Sequence, residues 1–178
     1  SATQPLTIGG SQADAATVAI KNGSVVQTKD DGSSGYAIIT FNPVNMTIEE
    51  DSTIKGWACI YAKGPDGSAG SAGSVFTITD SELVSKNVYS GESNAFSMLR
   101  AEADNVTFNI TDTKIDVSAT GDQPQAIVGA PGSLTGVTAK LGEGNEVTLS
   151  GEQASDYVRY RKDVDDQLNL SRMERQKK

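Results

Sequence analysis

One apolar skeleton recurs along the chain: two apolar residues two positions apart, polar turn-forming residues, and a third apolar residue seven or eight positions after the first. The clear copies are Val18, Ile20 and Val25; Met46, Ile48 and Ile54; Phe76, Ile78 and Leu83; and Phe108, Ile110 and Ile115, with Val147 and Leu149 as a degenerate fifth. Their starts give periods of 28, 30, 32 and 39 residues. Self-similarity at this period is typical of a solenoid, in which each coil stacks on the one before it.

A second motif, alanine followed by bulky apolar residues, lies between copies of the first. Its copies are residues 36–39, 57–60, 94–98 and 125–128. Two motifs per period indicate that each unit contributes strands to more than one face, as in a parallel β-helix. Crossovers between parallel strands are almost always right-handed. We therefore predict an all-β fold over residues 1–151: a right-handed parallel β-helix of about five coils, with Leu6 and Ile8 as the apolar contacts of an N-terminal cap.

Short polar residues punctuate this pattern at its corners and loops. Asn22-Gly23, Asp80-Ser81 and Asp112-Thr113 fall between the apolar pair and the third apolar residue, where short side chains bond the local backbone and turn the chain. Residues 63–74 and 85–93 are rich in polar and small residues, and we predict two loops that project from the third coil without packing. Inert insertions are favoured over a binding role for both loops.

Charge separates the last part of the chain from the rest. The 178 residues carry a net charge of −8, but residues 1–158 hold 8 basic and 19 acidic groups, whereas residues 159–178 hold 7 and 4. Apolar residues from Tyr157 to Leu168 recur at loosely helical spacing, so residues 152–178 are predicted to form a charged cap or stem with a short capping helix. An acidic body argues against nucleic acid as a partner, and no apolar run is long enough for membrane insertion.

Residue types that carry common catalytic and metal chemistry are sparse. The chain has no histidine, which removes the commonest general base and the commonest metal ligand, and no cofactor or metal is predicted. Its one cysteine, Cys59, stands among apolar neighbours and is predicted to be a buried structural thiol. Acidic clusters at Asp30-Asp31 and Glu49-Glu50-Asp51 are predicted to be solvated corner charges, with calcium ligation as the alternative.

Three aromatic residues are the candidate ligand-binding residues: Tyr36, Trp57 and Tyr61. Tyr36 and Trp57 hold equivalent positions in the second motif, so their rings could stack on neighbouring rungs as a platform for a sugar. The opposing interpretation starts from strand alternation, because Tyr36 shares a face with Ile38 if the strand is regular. If Ile38 and Phe96 face the core, Tyr36 and Trp57 face it too, and this inward orientation is the one that the pattern favours.

The motifs resemble those of bacterial cell-surface, adhesin-like proteins with pectate-lyase-like right-handed β-helix repeats. In that family a unit like Val-x-Ile-x-Asn-Gly-x-Val alternates with Gly-Tyr-Ala-Ile, which is similar to residues 18–25 and 35–38, echoed by residues 56–60. The resemblance covers roughly residues 16–151. It implies a β-helix architecture, a bacterial source and a secreted or cell-surface location, and it implies function only as a class.

The resulting expectation is a non-enzymatic β-helix module that presents a rigid surface to a glycan or protein partner. One alternative is a carbohydrate-active module, a polysaccharide lyase or glycosidase-like protein, because the same architecture houses such enzymes. The sequence lacks the Gly-His-Gly and Arg-Ile-Lys motifs of polygalacturonases, and Arg100 is the only arginine within residues 1–158. A further alternative is a phage tail-fibre segment, for which stable trimers would be expected.

Overall fold

The structure is a computed structural model that describes residues 5–9, 14–28, 35–66, 69–85, 97–117, 127–131 and 133–148. The strands are β1 (Leu6–Ile8), β2 (Ala16–Ile20), β3 (Val25–Gln27), β4 (Tyr36–Thr40), β5 (Val44–Ile48), β6 (Ser52–Gly56), β7 (Ala58–Ala62), β8 (Val75–Ser85), β9 (Leu99–Ala101), β10 (Thr107–Asp116), β11 (Val128–Gly129), β12 (Thr138–Leu141) and β13 (Glu146–Thr148). Every strand pair is parallel. The described residues contain no helix.

These strands form a three-sided coil. Face A is a five-stranded sheet in the order β1-β4-β7-β9-β11. The other sheet has eight strands and bends at a corner, which divides it into face B (β2-β5-β8-β10-β12) and face C (β3-β6-β8-β10-β13). The chain visits faces A, B and C in turn and advances by one strand on each circuit. The predicted parallel β-helix is confirmed, with about four turns and five strands stacked on each face.

Apolar side chains form continuous columns along the interior of faces B and C. One column is Val18, Met46, Phe76, Phe108 and Ala139; the next is Ile20, Ile48, Ile78, Ile110 and Leu141. A third, on face C, is Val26, Ile54, Leu83, Ile115 and Val147. Most of these side chains are fully buried. Their removal from water, at about 25 cal/mol per Å² of apolar surface, holds the stack together.

Two assignments in the repeat were wrong. Val25 is 62% exposed, and its neighbour Val26 takes the interior place in the first copy. The leading pair of the fifth copy is Ala139 and Leu141, so Val147 belongs to the third slot and the last period is 31 residues, not 39. Sequence alone did not separate these choices, because Val25 and Val26 are equally apolar and Ala139 is small.

The corners explain why the first and third apolar residues are eight positions apart in the first two copies and seven apart in the next two. Asp80 and Asp112 are single residues in the left-handed conformation (φ 44° and 46°) inside the continuous strands β8 and β10. The first two coils instead place two residues there, Asn22-Gly23 and Glu50-Asp51, all with positive φ. A two-residue corner therefore places the third apolar residue of the motif one position later than a one-residue corner does. Asn, Asp and Gly tolerate this conformation best, so the predicted corner residues are confirmed.

The first predicted loop packs more than its composition suggested. Ser71 and Ser74 are fully buried. Ser71 donates its hydroxyl to the carbonyl of Thr40 at 2.7 Å and lies 2.9 Å from the Thr40 hydroxyl, while the Val44 amide donates to the Ser74 hydroxyl at 3.0 Å. The expectation of a loop that does not pack was therefore wrong for this part of residues 63–74. These serines supply polar partners where the chain turns from face A to face B.

The predicted N-terminal cap is part of the solenoid. Leu6 and Ile8 pack against the core as predicted, but as the first strand of face A, paired with β4. The predicted cap or stem over residues 152–178 and most of the second predicted loop, residues 86–93, lie outside the described residues.

Candidate functional site

Four of the five strands of face A, all except β1, have near their start two consecutive residues that both face the core. These pairs are Ala37-Ile38, Cys59-Ile60, Met98-Leu99 and Ile127-Val128. On β7 the amides of Cys59 and Ile60 both donate to the Met98 carbonyl, at 2.9 and 3.0 Å. Two donors on one acceptor mark a local bulge, which interrupts the alternation of inward and outward side chains.

This bulge reverses the expected orientation of the aromatic residues. Tyr36 lies opposite Ala58, and Ile38 lies opposite Ile60. The predicted equivalence of Tyr36 and Trp57 is therefore wrong by one position. Tyr36 and Trp57 pack in a cluster separate from the core that holds Ile38. The inward orientation was wrong, because regular alternation does not extend back through Ala37; Phe96 lies outside the described residues.

The three predicted aromatic residues meet on the outside of face A. The ring centroids of Tyr36 and Tyr61 are 4.9 Å apart, with planes tilted by 38°. Trp57 meets Tyr36 edge to face, at 5.8 Å and 77°. Tyr36 is 7% exposed and lies beneath the other two, which are half-buried. We call Tyr36, Trp57, Tyr61 and the neighbouring Phe41 the aromatic patch.

Charged side chains border the aromatic patch. The Arg100 guanidinium carbon lies 4.6 Å from the Tyr61 ring centroid, a favourable cation–π position. Glu102 forms an ion pair with Arg100 and accepts a hydrogen bond from the Tyr61 hydroxyl. The Lys63 ammonium lies 5.2 Å from the Phe41 ring centroid and 6.0 Å from that of Tyr61. The patch thus combines flat apolar rings with hydrogen-bonding groups at their edges.

Burial changes the protonation chemistry of both tyrosines. Desolvation raises the pKa of Tyr36 to about 12, against the lowering effects of the Arg100 charge and of a hydrogen bond with Arg100. Desolvation also raises the pKa of Tyr61, again opposed by Arg100. Both hydroxyls are therefore protonated near neutral pH. The Tyr61 hydroxyl donates to Glu102, whereas the Tyr36 hydroxyl accepts from the Arg100 guanidinium, and a phenolate base is disfavoured at both positions.

Arg100, Glu102, Lys63 and Phe41 were not among the sequence-derived candidates. A usable signal existed for the first pair, because Arg100 is the only arginine within residues 1–158 and Glu102 follows it by two, which places both on one side of a strand. The same spacing relates Lys63 to Tyr61. These residues join the aromatic patch only because β4, β7 and β9 are neighbours in face A.

Cys59 has the predicted structural character. Its side chain is fully buried, and its thiol donates to the carbonyls of Ile54 and Val84 at 3.4 and 3.6 Å. Desolvation raises the pKa of this thiol far above its ordinary range, which keeps it in the unreactive protonated form at neutral pH.

The acidic cluster at residues 49–51 lies at a corner between faces B and C. Glu50 and Asp51 are exposed, as expected for solvated corner charges, whereas Asp30 and Asp31 lie outside the described residues. Within the described ranges, no three His, Cys, Asp or Glu side chains gather around a possible metal position. Those ranges also hold no helix with the length and hydropathy to cross a membrane.

Comparisons of the chain with protein-family models, with curated proteins and with solved structures find no match.

Proposed function

We propose that the outer side of face A is a carbohydrate-binding surface and that the chain is a non-enzymatic, secreted or cell-surface β-helix module of the adhesin-like type. The supporting observation is the aromatic patch: Trp57 and Tyr61 lie half-buried over Tyr36, with Arg100 and Glu102 at their edge. Sugars present apolar C–H faces that stack on such rings and hydroxyls that bond to carboxylate and guanidinium groups. A rigid stack of strands keeps these groups in place before a ligand arrives, which lowers the entropy cost of binding.

Electrostatics favours a neutral glycan over a polyuronate. Each of the two cations of the site has a carboxylate partner, since Arg100 pairs with Glu102 and the Lys63 ammonium lies 4.0 Å from the Asp66 carboxylate. The surrounding body is strongly acidic, with 19 acidic against 8 basic groups in residues 1–158. A polyanion would therefore meet net repulsion and find little uncompensated positive charge.

Trp57 provides a direct readout, because it is the only tryptophan in the chain. A panel of neutral and uronic-acid oligosaccharides is titrated against the protein, and binding is followed by Trp57 fluorescence and by calorimetry. Tyr61→Ala removes a ring that a sugar would stack on, and we expect binding to weaken by about 30-fold, or about 2 kcal/mol. Val25→Ala, which removes an exposed apolar side chain on face C, is the matched control and leaves binding unchanged.

Two results would contradict the proposal. One is an absence of saturable binding across the whole panel. The other is binding that Tyr61→Ala, checked for an unchanged thermal midpoint, does not weaken. Tighter binding of polyuronates than of neutral oligosaccharides would contradict the electrostatic argument while leaving the location of the site intact.

The carbohydrate-active alternative is favoured by one specific observation, the proximity of Arg100, Glu102 and the Tyr61 hydroxyl. A guanidinium, a carboxylate and a hydroxyl on the outer face of a β-helix are the types of group that act on uronates. Incubation with pectin and alginate, followed by assay for unsaturated products, separates this function from simple binding. Product formation that Arg100→Lys abolishes would support the enzyme and refute the non-enzymatic proposal.

A further inference from the structure

Among the described residues, the strands of the first coil leave one edge of the stack without a strand partner. β1 and β2 are terminal in their sheets, and β3 pairs only with β6. The Ala16 amide donates to Pro43 and the Ile20 carbonyl accepts from Glu49, so alternate residues of β2 face the second coil. Thr17 and Ala19 alternate with these paired residues along β2. Their N–H and C=O groups therefore point to the opposite edge, which we call the free edge.

The same alternation between residues that bond to the second coil and residues that point to the free edge holds on β1 and β3. The Ile8 carbonyl of β1 accepts from Phe41, and the Ser24 carbonyl before β3 accepts from Thr53. The resulting free-edge residues of the first coil are Thr7, Thr17, Ala19, Val25 and Gln27. All five are exposed, and none is charged or proline. Natural sheet edges usually carry charges, proline or bulges that prevent pairing with another chain, and these strands carry none of them.

The opposite end of the solenoid differs in both burial and charge. In the last coil Val147 is only partly buried, but Val128, Ala139 and Leu141 are 0%, 3% and 4% exposed. The exposed Lys140 and Glu146 lie on the strands of this coil. In the first coil Ile20 is buried, at 7% exposed, but the other interior residues are only partly buried: Leu6, Ile8, Val18 and Val26. The first coil is therefore the more open of the two, and a contact between two first coils covers the more exposed apolar residues of both copies.

We propose that two copies of the chain associate through their first coils about a two-fold axis, with β2 pairing antiparallel to β2 of the second copy. Pairing that keeps inward residues opposite inward residues extends the apolar columns across the junction. Because the coil is three-sided, the same axis places β1 of each copy over β3 of the other. Self-complementary contact of this kind closes at two subunits and leaves the aromatic patch on face A accessible.

Charge complementarity supports this arrangement. The uncharged strand β2 is flanked by exposed residues of opposite sign, Asp14 before it and Lys21 after it. Antiparallel pairing brings Asp14 of each copy to the end of β2 that carries Lys21 in the other copy. A parallel arrangement of two first coils would instead place like charges together, which costs stability.

Light scattering on the 178-residue chain at micromolar concentration tests the proposal. We expect a mass of twice 18.6 kDa that falls to 18.6 kDa on dilution. Ala19→Pro removes one free-edge N–H without disturbing the bonds to β5, and it should give the monomer mass throughout. Ala19→Val keeps the N–H and is the matched control that remains dimeric. Ala19→Lys adds an edge charge, so it gives a monomer by a second route if the proline variant misfolds.

A charge exchange tests the orientation of the pair. Lys21→Glu should weaken the dimer, and the double variant Asp14→Lys, Lys21→Glu should restore it, because the exchanged charges again face opposite signs. A wild-type chain that stays monomeric, a dimer that neither Ala19→Pro nor Ala19→Lys weakens, or an open-ended series of larger assemblies would each overturn the proposal. Failure of the double variant to restore the dimer would overturn the antiparallel arrangement.

Discussion

The rings of Phe76 and Phe108 stack nearly face to face across two successive turns, with centroids 5.0 Å apart and planes 18° apart. Their strands, β8 and β10, form nine residue pairs in one parallel register, interrupted only at the corner residues Asp80 and Asp112. The ring separation is close to the spacing of neighbouring strands, about 4.8 Å. Stacking of the coils therefore sets the aromatic contact directly.

Replacing Phe108 with alanine should remove that contact and leave a cavity in the core. Both rings are fully buried, so we expect a loss of about 3–5 kcal/mol in the free energy of unfolding, measured by chemical denaturation. Thr77→Ala, on the outward side of β8, should cost less than about 0.5 kcal/mol. A double-mutant cycle with Phe76→Leu should show coupling of about 1 kcal/mol, and strict additivity would contradict the stacking contribution.

Replacing Gly144 with alanine should be destabilising for two reasons: the backbone there has a positive φ, and a neighbouring side chain occupies the space of the added Cβ. Its φ is +76°, and an added Cβ would collide with the Asp112 carboxylate on the coil below. Gly23 has a similar φ of +67° but no atom within 4 Å of the added Cβ. Gly23→Ala should therefore cost only the backbone term of about 1–2 kcal/mol, and Gly144→Ala clearly more. Equal costs in thermal denaturation would show that the corner rearranges freely.

The buried hydroxyl of Ser71 should stabilise the turn from face A to face B. Ser71→Ala removes a donor to the Thr40 carbonyl and leaves the Thr40 hydroxyl without this partner, so we expect a loss of about 1–3 kcal/mol. Ser24→Ala removes a comparable bond to the Lys21 carbonyl at an exposed corner and should cost well under 1 kcal/mol. Equal effects on unfolding by urea would argue against a structural role for residues 70–74.

Stability should fall at high pH through Tyr36. The pKa of Tyr36 is about 12 in the folded chain and about 10 when unfolded, so below pH about 10 the hydroxyl is protonated in both states. Between these values the unfolded chain loses the proton and the folded chain keeps it, which lowers the free energy of unfolding by about 3 kcal/mol. Tyr36→Phe should lose less stability over this window. Parallel curves for the two proteins would show that Tyr36 titrates normally.

Much of the architecture followed from residue pattern. The spacing of the apolar pairs predicted parallel coils, because residues such as Ile20, Ile48 and Ile78 must all reach one interior. The corner residues were predictable for the same kind of reason, since only a few residue types adopt positive φ at low cost. These features depend on local conformation and on burial, both of which a short stretch of sequence encodes.

The candidate site was predictable only in part. Tyr36, Trp57 and Tyr61 were correctly selected as aromatic residues of one region, but their orientation depended on the bulge at Cys59-Ile60, where two amides share one carbonyl of the next coil. Arg100 and Glu102 reach the aromatic patch from a strand about forty residues further along the chain. No periodicity in the sequence relates them to Tyr61.

The sequence by itself determined that this chain winds into stacked parallel strands, because apolar residues at a recurring spacing can leave water together only in such columns. Only the tertiary structure decided the register between coils: whether Val25 or Val26 turns inward, and whether Tyr36 lies level with Trp57 or with Ala58. Register arises from hydrogen bonds between residues some twenty to forty positions apart. A shift of one residue exchanges the inner and outer faces of a strand, so that choice decides which side chains are available at the surface.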